Sequence, residues 1–121
     1  MIGPRISSRV KLHAIDSMGR SMARTDDFEW DDDKERANHR DHGFAFWDAA
    51  PLVFEASDII EDIDDRFEYD EERWIAFARV HTIVVCCVYT GRGRRRRIIS
   101  LRRATRAEVQ RFEADLRASE D

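Results

Sequence analysis

Arginine is the residue type in this sequence that points most directly to chemistry. Residues 73–111 hold eleven arginines, no lysine and a single acidic residue, Glu108. A guanidinium group binds phosphate through two parallel hydrogen bonds and stays charged at physiological pH. Strands in this segment would place several arginines on one sheet face, which is unfavourable unless an anion lies between them. We therefore predict a surface that binds a polyanion, with RNA phosphate as the natural ligand.

The overall charge conceals this segregation. The formal net charge is −4, yet residues 26–72 carry nineteen acidic residues against four basic ones. Such asymmetry between two parts of a chain is typical of proteins that meet a polyanion with one surface. The alternative is a solvated face whose arginines simply pair with the acidic half.

The other chemistry-bearing residues form no recognised catalytic set. The sequence contains neither a glycine-rich phosphate loop nor a GxSxG motif. His39 and His42 lie three residues apart on a predicted helix, but a zinc site needs further ligands at a defined spacing. Cys86 and Cys87 are adjacent in an apolar strand and point to opposite faces, so we expect two buried thiols. We predict no metal site and no cofactor.

Length and hydropathy indicate one cytoplasmic domain. With 121 residues the chain is the size of a single domain. No apolar run approaches the roughly 18 residues of a membrane span, and the first 25 residues lack the apolar segment of a secretory signal. Residues 1–25 show little periodicity, so we interpret them as a mobile N-terminal arm that the fold does not need, or as residues that precede the true start codon. Residues 26–121 are predicted to form the domain.

The first predicted elements are a short strand and two helices. Phe28–Trp30 is a strand, and Asp31–Asp33 supply capping and negative charge at the start of a helix over 32–42. Gly43 follows it as a left-handed cap. An apolar stripe of period 3.6 predicts a second helix over 46–55. Asp48 is expected to cap that second helix, which would place Pro51 in its first turn.

The rest of the chain is predicted to form strands and a final helix. Period-2 or continuously apolar segments indicate strands over 59–63, 73–80, 83–89 and 94–101. Thr105 and Glu108 form a capping box that begins a helix over about 105–117. Short turns between consecutive strands give an antiparallel meander, with all helices on one face. The predicted class is therefore α+β, with two N-terminal helices and one C-terminal helix.

Four motifs, in order, resemble the BrnT family of toxins. They cover residues 27–113. The first motif is Phe28-Glu29-Trp30-Asp31 with Lys34, Asn38 and His42-Gly43, and the second is Phe46, Ala49-Ala50 and Val53-Phe54. The third is Glu72-Arg73-Trp74-Ile75-Ala76, and the fourth is Val88-Tyr89-Thr90 with Arg97 to Thr105 and Glu108. Two departures are Phe112, where many relatives carry tyrosine, and the unusually basic run Arg94–Arg96.

This resemblance implies a fold, an activity and a partner. BrnT proteins are ribonuclease toxins of type II toxin–antitoxin systems with a fold similar to the RelE toxins. They are neutralised by BrnA, a ribbon-helix-helix antitoxin that binds operator DNA. RelE-like ribonucleases cleave without metal, by attack of the RNA 2′-hydroxyl on the neighbouring phosphate. Preorganised cations that stabilise the developing charge suit that reaction.

Carried over residue by residue, the resemblance predicts two groups of site residues. The catalytic residues are expected to be Arg73, Arg92, Arg97 and Arg102, with Arg73 and Arg102 on the scissile phosphate. The RNA-binding residues are expected to be Trp30, Lys34 and His42. Arg95, from the unusually basic run, is added to them, and that run could serve RNA binding or contact with the antitoxin.

Several of these residues have a structural alternative. Trp30 could stack on a base or instead staple the first helix. His42 could bind RNA or satisfy carbonyl groups at its helix end. The whole arginine surface could also belong to a non-catalytic module that only binds nucleic acid or a protein.

Overall fold

In a computed structural model, which describes residues 10–66, 68 and 70–120, a seven-stranded sheet carries three helices. The strand order is β1-β2-β3-β7-β6-β5-β4. The strands are β1 Leu12–Ile15, β2 Ser21–Arg24, β3 Phe28–Asp31, β4 Ile59–Ile63, β5 Trp74–Val80, β6 Ile83–Arg92 and β7 Arg95–Arg103. The helices are α1 Asp32–His42, α2 Phe46–Glu55 and α3 Arg106–Ser119. The predicted α+β class is confirmed.

The four C-terminal strands form the predicted meander. β4, β5, β6 and β7 pair antiparallel in sequence order, and β6 is buried along most of its length because it lies between β5 and β7. A β-bulge opposite Val88 and Tyr89 adds Ile99 to β7. This extra residue lets Ile98 and Leu101, three positions apart, both face the core.

The sheet extends beyond the meander in a way that the sequence did not predict. β3 pairs with β7 in parallel, through Phe28 with Arg96 and Glu29 with Arg97. The prediction of an entirely antiparallel sheet is wrong at this pairing. β3 covers part of the outer edge of β7, which would otherwise leave ladder groups of that strand unpaired.

Residues 12–24 also differ from the predicted mobile arm. They form the β1–β2 hairpin, and β2 pairs with β3. Met22 and Ala23 of β2 are buried. Two buried neighbours in a four-residue strand produce no period in the sequence, so only the tertiary pairing reveals this element. Residues 1–9 of the predicted arm lie outside the described residues.

α1 and α2 cover one face of the sheet, which we call the core face. α1 begins where the Asp31 carboxylate accepts hydrogen bonds from two backbone N–H groups, and it ends at Gly43 with φ of 82°. α2 begins at Phe46, with the Glu35 carboxylate accepting from its N–H at 3.3 Å. The prediction that Asp48 caps α2 is therefore wrong, and Pro51 lies inside the helix rather than in its first turn.

α3 packs on the opposite sheet face, which we call the cleft face. Its Thr105–Glu108 capping box is present as predicted. Phe112 is buried, and the guanidinium carbon of Arg79 lies 5.6 Å from its ring centre. Arg79 and Phe77 project from β5 on the side away from α2, because buried Ala76 and Ala78 alternate with them. The expectation that all helices lie on one face is therefore wrong.

Candidate active site

A cationic cleft lies on the cleft face at the junction of β2, β3 and the β5–β7 strands. It has a volume of about 160 Å³. The residues that line it are Arg20, Met22, Asp31, Lys34, Glu71, Arg73, Arg92, Arg97, Ile98 and Ile99. Five of these side chains are basic and two are acidic, so the cleft favours an anion. We call this group the arginine cleft.

Arg97 is held at the cleft by a buried carboxylate. β7 pairs in parallel with β3, which aligns Arg97 with Glu29. Its Nε and Nη2 groups donate to the Glu29 Oε2 atom at 2.9 and 2.6 Å. The Glu29 side chain is only 7% exposed and that of Arg97 is 23% exposed. This cation therefore has a fixed orientation.

Arg92 and Arg73 reach the cleft from the ends of neighbouring strands. Arg92 ends β6, and its Nη2 group donates to a carboxylate oxygen of Glu71 at 2.7 Å. Arg73 immediately precedes β5, and its carbonyl oxygen accepts a hydrogen bond from the Asp64 N–H at 2.8 Å. Because β5 and β6 are adjacent, the two guanidinium groups share one rim. The structure thus brings together three of the four predicted catalytic arginines.

Arg102 lies on the same sheet face but does not line the cleft. Two hydrogen bonds, of 2.7 and 2.8 Å, join its guanidinium group to the Glu108 carboxylate at the start of α3. The bond from Arg102 lowers the pKa of Glu108 to about 2, and the same contact raises the pKa of Arg102. The observed contact of Arg102 is therefore with α3.

Trp30 does not fit its predicted role in base stacking. The residue is 2% exposed, and its ring meets Phe46 edge-on with centroids 6.2 Å apart. A buried indole cannot offer a face to RNA, so this prediction is corrected: Trp30 belongs to the hydrophobic core. The cause is that β2 and α2 cover β3, which makes Trp30 an internal rather than a terminal residue.

The other predicted RNA-binding residues lie in three different places. Lys34 is exposed in the first turn of α1 and lines the arginine cleft. His42 is exposed in the last turn of the same helix, and a separation of eight residues corresponds to roughly 12 Å along the axis. Arg95 donates through Nε to the carbonyl oxygen of Thr25 at 2.7 Å, which ties β7 to the β2–β3 turn. Only Lys34 is therefore at the cleft.

The structure also locates the residues considered for other chemistry. Among the described residues, no group of three or more histidine, cysteine or acidic side chains is arranged to hold a metal ion. Cys86 and Cys87 are buried free thiols, and burial raises the pKa of Cys86 to about 11. None of the three helices is long and apolar enough to cross a membrane.

The sequence reasoning assigned no role to three residues at or next to the cleft. Arg20 lies in the turn before β2, inside the segment that the sequence predicts to be an arm. Glu71 precedes Arg73 by two residues, and Glu29 belongs to the motif Phe28-Glu29-Trp30-Asp31. The charge of Glu71 lay within a long acidic run, so no sequence signal separated it from its neighbours.

Fold and cleft together describe a small α+β protein with a cationic cleft on an open part of its sheet. Residues 30–108 match the ribonuclease toxin BrnT of type II toxin–antitoxin systems, and the chain belongs to this family. The match includes Lys34, Arg73, Arg92, Arg97 and Arg102, but not Arg20. A comparison with curated proteins found no significant match.

Proposed function

We propose that this toxin cleaves RNA in the arginine cleft without a metal ion, and that the cleavage inhibits translation and growth. The observation that carries the proposal is the convergence of Arg73, Arg92 and Arg97 on one cavity of about 160 Å³. Preorganised cations stabilise negative charge that develops on a phosphate, with no need for reorganisation during the reaction. The coarser activity, that of a ribonuclease toxin, follows from the family.

The proposed reaction is an internal displacement at phosphorus. The RNA 2′-hydroxyl oxygen forms a bond to the adjacent phosphorus while the bond to the 5′-oxygen breaks, giving a 2′,3′-cyclic phosphate and a 5′-hydroxyl end. Glu71 is the lining carboxylate that accepts the 2′ proton, through the oxygen atom that Arg92 does not contact, and Asp31, the other lining carboxylate, caps α1. Water donates the proton that the leaving oxygen needs. The three arginines bind the non-bridging oxygens as their charge increases.

The ion pairs at the cleft orient its arginine side chains but do not neutralise its positive charge. Glu29 and Glu71 hold Arg97 and Arg92, respectively, and five cations face only two lining carboxylates. A phosphate therefore still meets a net positive cavity. Arg102 is proposed to contact the RNA beside the cleft, in keeping with its place on the same sheet face.

The family implies an antitoxin, whose properties we propose in more detail. A BrnA-like ribbon-helix-helix protein would neutralise the toxin in the cytoplasm and carry the complex to operator DNA. The architecture is proposed to be RelE-like, with the meander of β4–β7 and α1 and α2 as the shared part.

RNA digestion by the purified chain tests the proposal. We expect cleavage that persists in EDTA, and a loss of about a hundredfold in Arg73→Ala, since removal of one charge-stabilising group typically has this effect. Arg103→Ala is the matched control, because Arg103 is an exposed arginine outside the cleft. Cleavage that disappears with EDTA would contradict the metal-free reaction. Equal rates for Arg73→Ala and the control would contradict the site.

A second function, a binding module without catalysis, is favoured by one observation. Arg92, Arg97 and Arg102 each already have a carboxylate partner, as the arginines of a purely structural or docking face would. Tight RNA binding with no cleavage under any condition would support this function instead.

A further inference from the structure

Glu29 is a buried acidic residue whose side chain lies neither in the hydrophobic core nor in solvent. It lies in the middle of β3, between Phe28 and Trp30, which both face the core. The alternation of a strand therefore turns Glu29 to the cleft face, where its carboxylate meets Arg97. It is 6% exposed and does not line the arginine cleft. Glu29 reaches the cleft only through Arg97.

A buried ion pair is a poor way to gain stability, because desolvation of both charges offsets most of their attraction. The chain nevertheless keeps a charged carboxylate at this buried strand position. What the pair does supply is geometry. One carboxylate oxygen accepts from both Nε and Nη2, which fixes the plane of the guanidinium group.

We infer that Glu29 is a positioning residue for Arg97. Two of the five N–H donors of a guanidinium group are used by Glu29, and the three others are left for an anion in the cleft. Held in this plane, Arg97 is already oriented for the phosphate and needs no rearrangement as charge develops. This inference rests on the proposed function, since it assumes that Arg97 acts on RNA in the cleft.

The test is a double-mutant cycle on the purified full chain, with kcat and KM measured on one RNA oligonucleotide. We expect Glu29→Ala to lower kcat by about ten- to a hundredfold, the range of a misplaced oriented donor, with KM changed by less than about threefold. Glu29→Gln keeps a hydrogen-bond acceptor and should recover part of the loss. Glu29→Ala should not slow an Arg97→Ala variant any further, because it acts only through Arg97.

A matched control separates positioning from general destabilisation. Glu61→Gln removes a carboxylate that accepts a hydrogen bond from the buried Tyr89 hydroxyl on the core face, away from the cleft. It should change the melting temperature and leave kcat of the folded protein unaltered. The Glu29→Ala/Arg97→Ala variant removes both charges of the pair, so its fold should survive even where Glu29→Ala alone is unstable.

Three results would overturn the inference. A folded Glu29→Ala with the kcat of the wild type would show that the pair is structural. A double variant slower than Arg97→Ala would show that Glu29 acts by another route. If Arg97→Ala itself cleaves at the wild-type rate, both the assignment of Arg97 and the inference about Glu29 are wrong. If Arg97→Ala is impaired while Glu29→Ala is not, only the inference about Glu29 is wrong.

Discussion

Asn38 of α1 is joined to Leu101 of β7 by two hydrogen bonds. The Asn38 amide donates to the Leu101 carbonyl oxygen at 2.7 Å, and the Leu101 N–H donates to the Asn38 Oδ1 atom at 3.0 Å. β3 pairs with β7 only at Arg96 and Arg97, so Asn38 continues the pairing beyond the point where β3 ends. The contact fixes α1 on the strand that carries Arg97.

Asn38→Ala should destabilise the fold. Both backbone groups of Leu101 are buried, and each would lose its partner, which costs about 1–3 kcal/mol of unfolding free energy. Urea denaturation of the variant beside Arg40→Ala, an exposed change in the same helix, measures the effect. Equal midpoints for the two variants would show that water replaces the amide at no cost.

Local signals were sufficient for most individual elements. Gly43, the Thr105–Glu108 capping box and the continuously apolar β6 each predict structure from residues within one turn or strand, and the structure contains all three. The parallel pairing of β3 with β7 depends on residues 68 positions apart, and no local pattern reports it. The same holds for the face on which α3 packs.

Only part of the candidate site could be predicted from the sequence, again because tertiary contacts leave no local pattern. A run of arginines is visible in the sequence, and their alternation along β7 places Arg97 on the cleft face and Arg96 on the core face, where it lies 4.1 Å from the Phe54 ring centre. Burial is not visible in the same way. Trp30 resembles an exposed aromatic residue at a strand end until the β1–β2 hairpin covers that strand.

Truncation to Asp26 should destabilise the domain, contrary to the expectation from sequence. The cut removes β2, whose Ala23 is fully buried, and exposes the edge of β3 beside Trp30. Loss of an edge strand and its apolar contacts should lower the melting temperature by more than about 5 °C, which corresponds to roughly 1 kcal/mol in a domain of this size. Thermal denaturation followed by circular dichroism measures it. A melting temperature within about two degrees of the full chain would show that the hairpin is dispensable.

Acid should weaken the attachment of α3. The pKa of Glu108 is lowered from 4.5 to about 2, chiefly by its hydrogen bond from Arg102. A carboxyl group whose pKa is depressed on folding stabilises the protein above its unfolded pKa, and this stability is lost as the pH falls through the folded value. Between pH 5 and pH 2 the unfolding free energy should therefore fall by an amount on the order of 1–3 kcal/mol from this group alone.

Glu108→Gln should remove that part of the acid dependence. The control is Glu113→Gln, an exposed acidic residue of the same helix. Urea midpoints are compared at several pH values for both variants and the wild type. If Glu108→Gln retains the full slope with pH, the acid sensitivity originates in other carboxylates.

Arginine-to-lysine changes should distinguish catalysis from simple binding. Lysine keeps the charge but offers a point-like ammonium group in place of a planar fork. If Arg73 holds the scissile phosphate through two bonds, Arg73→Lys should lower kcat by about tenfold or more while RNA affinity falls much less, because only the oriented bonds of the transition state are lost.

Arg102 contacts Glu108 rather than the cleft, so Arg102→Lys should affect cleavage less than Arg73→Lys does. Both variants are compared by single-turnover cleavage and by filter binding of a non-cleavable RNA. A stronger effect at Arg102 would place the scissile phosphate beside Arg102 and α3 instead of in the arginine cleft. Unchanged kcat in both variants would favour a surface that only binds.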